Sequence, residues 1–144
     1  MRIRKLNHSM YRTQYHIVWV TKYRKKWIKD YVKVELLKAL YKAQRRHPAW
    51  YFLAINTDKD HVHLQMEIPP SDSVAAVVQD LKASSAQIVR KRFPFLNKIY
   101  YGHSGLWSTG YFVSTIGLDE ATVRRYVELQ GQDDFGQDVT SEFS

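Results

Sequence analysis

From Asp60 to Ile68 apolar and polar side chains alternate. Val62, Leu64, Met66 and Ile68 fall on one side, and His61, His63, Gln65 and Glu67 on the other. A period of two predicts a half-buried β-strand, its apolar side on a core and its two imidazoles pointing together from the opposite face. Upstream, Tyr11 to Thr21 predicts a first strand. It is apolar on both sides from Ile17 on, which suits a central position in a sheet. Asp30 is the expected cap of a helix reaching His47, with Val34, Leu37, Leu40 and Tyr41 at helical spacing and Pro48 as the stop. Trp50 to Ile55 predicts a second strand, joined by the short polar turn Asn56–Asp60 to the histidine strand as an antiparallel hairpin.

Pro69 and Pro70 end the histidine strand, and Ser71, Asp72 or Ser73 can cap a second long helix. Val74, Val77, Val78, Leu81, Ser85, Ile88 and Val89 mark its buried stripe. Residues 95–106, with Gly102 and Gly105, read as a loop, and Trp107 to Ile116 as a fourth strand. Asp119 is placed to cap a last helix, Glu120 to Gln130, with Gly131 ending it. The order β-α-β-β-α-β-α predicts an α+β, ferredoxin-like (RRM-like) fold. Four antiparallel strands would carry two helices on one face, leaving the other for ligand and for a C-terminal helix. Residues 1–10 show no period and read as a basic arm in which Arg2, Arg4, Lys5 and His8 meet phosphate or solvent.

Length and composition add limits. The 144 residues suit one domain, assigned to 1–131, followed by an acidic flexible tail over 132–144. Cysteine is absent, which excludes disulfides and thiolate metal sites. No apolar run approaches a membrane span, and no long apolar segment follows the basic N-terminus, so a cytoplasmic protein is expected. The first 130 residues hold 22 basic against 10 acidic side chains, whereas the remainder holds 4 acidic and no basic ones. A body that basic, with 10 Tyr, 6 Phe and 4 Trp, fits a polyanion with exposed bases, notably single-stranded nucleic acid. An inert basic surface has the same composition.

Candidate chemistry follows. His61 and His63 suit a metal as neutral ligands, though a His-x-His pair also occurs as a charged rim or as two hydrogen-bonded rings. His16 reads as structural. Arg24, Lys25 and Lys26, interleaved with Tyr23 and Trp27, either grip a nucleic-acid backbone and stack a base or form a solvated turn with Trp27 under the next helix. Arg90, Lys91 and Arg92 are a second cationic cluster. On the last helix Tyr126 and Gln130 lie one turn apart. A phenol oxygen can attack a polarised phosphodiester, and an amide oxygen can complete a hard-cation site. Val123, Tyr126, Val127 and Gln130 equally trace a packing stripe. Arg124 and Arg125 flank the tyrosine and can hold phosphate.

Three segments in order carry a resemblance. They are Asp60-His61-Val62-His63-Leu64 through Pro69-Pro70, Gly105-Leu106-Trp107-Ser108-Thr109-Gly110-Tyr111-Phe112-Val113-Ser114-Thr115-Ile116-Gly117, and Val123-Arg124-Arg125-Tyr126-Val127-Glu128-Leu129-Gln130. Together with Tyr15–Val20, and across about residues 8–131, they resemble the small single-tyrosine HUH transposases of the IS200/IS605 group. The resemblance implies Tyr126 as nucleophile, His61, His63 and Gln130 as ligands to Mg²⁺ or Mn²⁺, and a homodimer in which the tyrosine helix of one subunit is able to complete the other's site. It implies as substrate single-stranded DNA with subterminal hairpins at the element ends, cut through a 5′-phosphotyrosine and rejoined. Gln65 departs from the apolar residue more usual there, without removing a catalytic group. A domesticated relative acting on host repeats has the same chemistry. A non-catalytic single-strand-binding module would need no nucleophile beside two ligands.

Overall fold

A computed structural model describes the backbone of residues 4–6, 9–11, 13–101 and 105–143, and the side chains of 13–101 and 105–135. Strands β1 (Arg4–Leu6) and β2 (Ser9–Tyr11) pair antiparallel, Arg4 opposite Tyr11. The expected aperiodic arm therefore contains a pair of short strands, and three-residue strands are too short to display a period. Its side chains, including those of Arg2, Arg4, Lys5 and His8, lie outside the described residues, as does Gly102.

A four-stranded antiparallel sheet follows, in the order β4-β5-β3-β6, from β3 (Gln14–Val20), β4 (Tyr51–Thr57), β5 (His61–Glu67) and β6 (Phe112–Ser114). Helices α1 (Asp30–Arg45) and α2 (Val74–Arg92) pack on one face and on each other. Ile17 and Trp19 of β3 and Val62, Leu64 and Met66 of β5 meet them, all fully buried. This is the expected ferredoxin-like order, with β3 and β5 central. The opposite face carries Val18 and Val20, which pack with Val123 and Val127 of α4 (Glu120–Phe143). The last helix thus covers the face left open by the first two. Among the described residues no helix is long and apolar enough to cross a membrane.

Several expectations are corrected. In α1 the buried stripe is Val32, Leu36, Ala39, Leu40 and Ala43, while Val34 and Tyr41 are exposed. Both sets satisfy helical spacing, and packing chose between them. Lys29, not Asp30, occupies the cap position of α1; Asp30 sits in the first turn, where its charge complements the helix dipole. Ser73 caps α2, its hydroxyl accepting from the Ala76 N–H at 3.1 Å. Phe95–Ile99 forms a short helix, α3, within the expected loop. The long fourth strand is broken. Trp107 bridges Thr21, but Gly110 turns with φ +90°, and regular pairing resumes only at Phe112.

The largest correction concerns Gly131. It does not end the last helix, which runs on to Phe143. It is buried, and a Cβ there would lie 2.5 Å from Arg24 Cδ. The domain boundary expected at 131 falls inside a helix, and part of the expected loose tail is packed against the body: Asp134 is 2% exposed.

Trp19, Trp27 and Trp107 form an aromatic wedge between the helices and the sheet, ring centroids 5.9 Å and 5.1 Å apart. Tyr100 closes it. Its hydroxyl donates to the Lys22 carbonyl at 2.7 Å and accepts from Trp27 Nε1 at 3.0 Å. Burial raises the Tyr100 pKa well above the ordinary phenol value. Trp27 is therefore tucked beneath the helices and is not a base-stacking platform. Tyr100→Phe leaves a buried indole N–H unpaired and should cost about 1–3 kcal/mol, read as a lower midpoint in urea unfolding. An unchanged midpoint would show that this bond contributes nothing net.

Candidate active site

The register of β3 against β5 sets His61 opposite Val20, His63 opposite Val18 and Gln65 opposite His16. All six share the face under α4. His61 is half-buried, and its Nδ1 lies 2.9 Å from Asp60 Oδ1. Asp60 is buried, with its carbonyl accepting from the Thr21 N–H at 2.9 Å, and Arg24 Nε lies 3.6 Å from its other oxygen. Burial alone would raise the Asp60 pKa, but the bond to His61 and the charges of His61 and Arg24 outweigh it, and the carboxyl is held below its ordinary value. An ionised Asp60 accepting from Nδ1–H fixes the tautomer of His61 that leaves Nε2 free for a ligand.

His63 Nε2 lies 3.4 Å from His16 Nδ1, with ring centroids 5.6 Å apart. Burial first, then the charges of His16 and His61, push the His63 pKa below the ordinary imidazole value. The ring is thereby kept neutral, the form that binds metal. Among the described residues no group of three or more His, Cys, Asp and Glu side chains forms a metal cage. Two imidazoles on one face still fit a divalent cation whose remaining ligands are oxygens.

Tyr126 packs against the Val18, Val20, Val123 and Val127 cluster, its ring 5.5 Å from that of Phe112. Its hydroxyl is buried with no hydrogen-bond partner in the protein. An orphaned polar atom in a packed stripe is not what core packing selects. Burial, followed by the charges of Asp134 and Asp133, raises its pKa to about 12. Gln130, half-buried, follows one turn later, and the next residue, Gly131, rests on the Arg24 stem. Arg24 therefore touches α4 with its stem and Asp60 with its head. The helix lies on the sheet of its own chain.

The cationic residues divide. Arg24 is engaged within the protein, whereas Lys25 and Lys26 are exposed. Arg124 pairs with Glu120 at 3.1 Å on the surface, and Arg125 is exposed. Arg92 lies over the Phe93 ring at 5.6 Å. Arg90 and Lys91 line a groove of about 890 Å³ between α2 and residues 105–111, with Lys82, Trp107 and Tyr111. No residue of β5 or α4 lines that groove among the described residues. The site has three members that sequence reasoning gave no site role. His16 read as structural yet faces His63. Asp60 stood beside His61 without a role. Asp134 lay in a tail with no pattern to signal it.

The IS200-like transposase family model matches residues 9–130, and the chain belongs to that family. It is 30% identical to the transposase of insertion sequence element IS200 from Salmonella typhimurium over 134 residues, covering 91% of this chain and 85% of that protein. It is 26% identical to the ISDra2 transposase TnpA of Deinococcus radiodurans over 122 residues, covering 84% and 86% respectively. A crystal structure of a protein from Deinococcus radiodurans R1 superposes with a TM-score of 0.77 at 28% identity, covering 88% of this chain and 97% of that one. A REP-associated tyrosine transposase solved with a REP hairpin shares the fold, with a TM-score of 0.53 at 16% identity over 83% of this chain and 68% of that one. The protein is thus a transposase of the IS200 type.

The raised Tyr126 pKa has a thermodynamic sign. A phenol more readily protonated in the folded state contributes stability that is full below the unfolded pKa of about 10 and is lost as pH rises. The loss runs up to the folded value, about 12. In a difference titration at 295 nm, wild type minus Tyr126→Phe, the tyrosinate signal should emerge only as pH nears about 12. A midpoint at the ordinary value near 10 would show a solvated ring.

Proposed function

We propose that this transposase cuts and rejoins single-stranded DNA at hairpin-bearing element ends, with Tyr126 as nucleophile and a divalent ion held by His61, His63 and Gln130. The observation that carries the reading is the shared face: the unpartnered Tyr126 hydroxyl, carried by α4, and the two histidines of β5 lie on the same side of the sheet.

In the reaction Tyr126 Oη attacks the phosphorus and the O3′–P bond breaks. The DNA 5′ end is then a phosphotyrosine, and the phenolic proton is matched by the proton on the released 3′-hydroxyl. Attack by another 3′-hydroxyl reverses the step and joins strands, with the bond energy retained throughout. With its pKa near 12, the phenol is protonated at neutral pH and acts only on a polarised phosphodiester. The donor set fits Mg²⁺ or Mn²⁺, which when bound stabilises charge on the phosphate oxygens and orients the scissile bond. Asp60 orients His61, and burial keeps His63 unprotonated. Lys25, Lys26, Arg90, Lys91, Arg92, Arg124 and Arg125 are the candidate phosphate contacts; Arg24, already engaged by Asp60, serves the site from inside. A hairpin substrate accords with the fold shared with the hairpin-bound REP-associated enzyme. A homodimer accords with the outer edge of β6, unpaired among the described residues, and with exposed Val113 and Ile116 beside it.

Labelled single-stranded DNA bearing an element end, incubated with Mg²⁺ or Mn²⁺, should give a covalent protein–DNA adduct. Tyr126→Phe should abolish it and leave hairpin binding intact, while His61→Ala and His63→Ala should lose metal-dependent cleavage. An adduct persisting in Tyr126→Phe removes the tyrosine from this role. Charge removal at Lys25, Lys26, Arg90 and Lys91 should weaken binding and reduce the slope of log K against log salt by about 0.7–0.9 per lost phosphate contact. An unaltered slope assigns these residues elsewhere.

A further inference from the structure

The family match ends at residue 130, but the contacts of the tyrosine helix do not. Over the next five residues three different kinds of contact converge on one corner of the body. Gly131 sits so close on Arg24 that a Cβ would meet Cγ at 2.8 Å and Cδ at 2.5 Å. The Asp134 carboxylate, 2% exposed, accepts from the Tyr23 backbone N–H at 2.9 Å and from the Ser108 hydroxyl. The Phe135 ring lies 5.1 Å from that of Tyr23.

A buried carboxylate is costly unless its oxygens are bonded and its charge is matched. Here two donors meet it, and Lys82, bonded to the carbonyls of Ser108 at 2.7 Å and Gly110 at 3.0 Å, lies within electrostatic reach. The turn that receives the helix is itself strained. Tyr23 and Arg24 both have left-handed backbone, φ 59° and 53°, a region that non-glycine residues seldom occupy and that persists only when the surroundings hold it. The bond from the Tyr23 N–H to Asp134 is one such hold. From the same turn Arg24 reaches Asp60, and Asp60 reaches His61.

We infer that residues 131–135 are a clasp that seats the tyrosine helix against the histidine strand, and that Asp134 is its positioning residue. It touches no reacting atom. It ties α4 to the Tyr23–Arg24 turn, and that turn holds Asp60 and thereby His61, so the two halves of the site are set relative to each other from outside the family segment. The inference rests on the tyrosine-helix reading above for its catalytic consequence, but the seating itself is measurable without catalysis.

Because the chain has no cysteine, Lys59→Cys and Glu128→Cys, both at exposed positions, can carry a pair of spin labels. Double electron–electron resonance on the metal-free protein should give one narrow distance distribution with Asp134 present and a broadened or shifted one with Asp134→Ala. In the unlabelled protein, Asp134→Ala should slow single-turnover adduct formation by on the order of 10- to 100-fold, the scale of a small misplacement of a reacting group, without changing the Kd for a labelled DNA hairpin. Asp134→Asn keeps an acceptor for the Tyr23 N–H and should recover most of the rate, which general destabilisation would not produce. Should Asp134→Ala fail to fold, Phe135→Ala, at a ring 58% exposed, carries the same distance measurement. A distribution as narrow as wild type in the folded variant overturns the clasp. Absence of adduct in every protein, wild type included, overturns the nucleophile reading and leaves the distance result to decide the clasp.

Discussion

Everything in this site depends on the pairing of β3 with β5. Side chains in a strand alternate faces, so a slip of one residue would turn His61 and His63 into the helix-packed core and drive Val62, Leu64 and Met66 out beneath α4. Fully buried Ile17, Trp19, Val62, Leu64 and Met66 make that slip prohibitive. The histidines need no dedicated support to share a face; the core holds them there by refusing the alternative. The same register sets Val18 and Val20 opposite them, the two β3 residues in the cluster on which Tyr126 packs.

Much of this was legible in the chain. Alternation predicted the histidine strand and the shared face of its pair, and the order of elements predicted the sheet and which face the last helix would take. Local pattern failed where two answers fit it equally. In α1, Val34 and Tyr41 fit helical spacing as well as Val32 and Leu36 do, and only the packed partner decides. Trp107 to Ile116 has the composition of one strand, but the turn at Gly110 divides it. Gly131 has the usual meaning of a helix stop, which here is overridden because the missing side chain is what admits Arg24. A glycine marks a place where a Cβ is unwelcome, and sequence alone does not say whether that place is an end or a contact.

The candidate site residues were legible to different depths. The shared face of His61 and His63 follows from the alternation, whereas their reading as metal ligands rests on the resemblance. Tyr126 and Gln130 were indistinguishable from a packing stripe until the order of motifs singled them out, and the buried, unpartnered hydroxyl of Tyr126 now separates it from ordinary core. His16 meets His63 only through the folded register, and Asp60, though next to His61 in the chain, reveals its contact with Nδ1 only in the folded geometry. Asp134 was invisible for a different reason: an acidic stretch reads as solvated unless a buried donor is known to await it, and the Tyr23 N–H and the Ser108 hydroxyl come from segments 111 and 26 residues away.

The left-handed turn at Tyr23 and Arg24 bears on how this enzyme would respond to improvement. Glycine or asparagine would occupy that backbone more comfortably, and a consensus-minded engineer seeking thermal robustness would place one there. The gain in backbone comfort would remove the ring on which Phe135 rests or the guanidinium that reaches Asp60. At this corner, robustness and function draw on the same two residues in opposite directions, so selection for heat resistance alone should erode the working geometry before it erodes the fold.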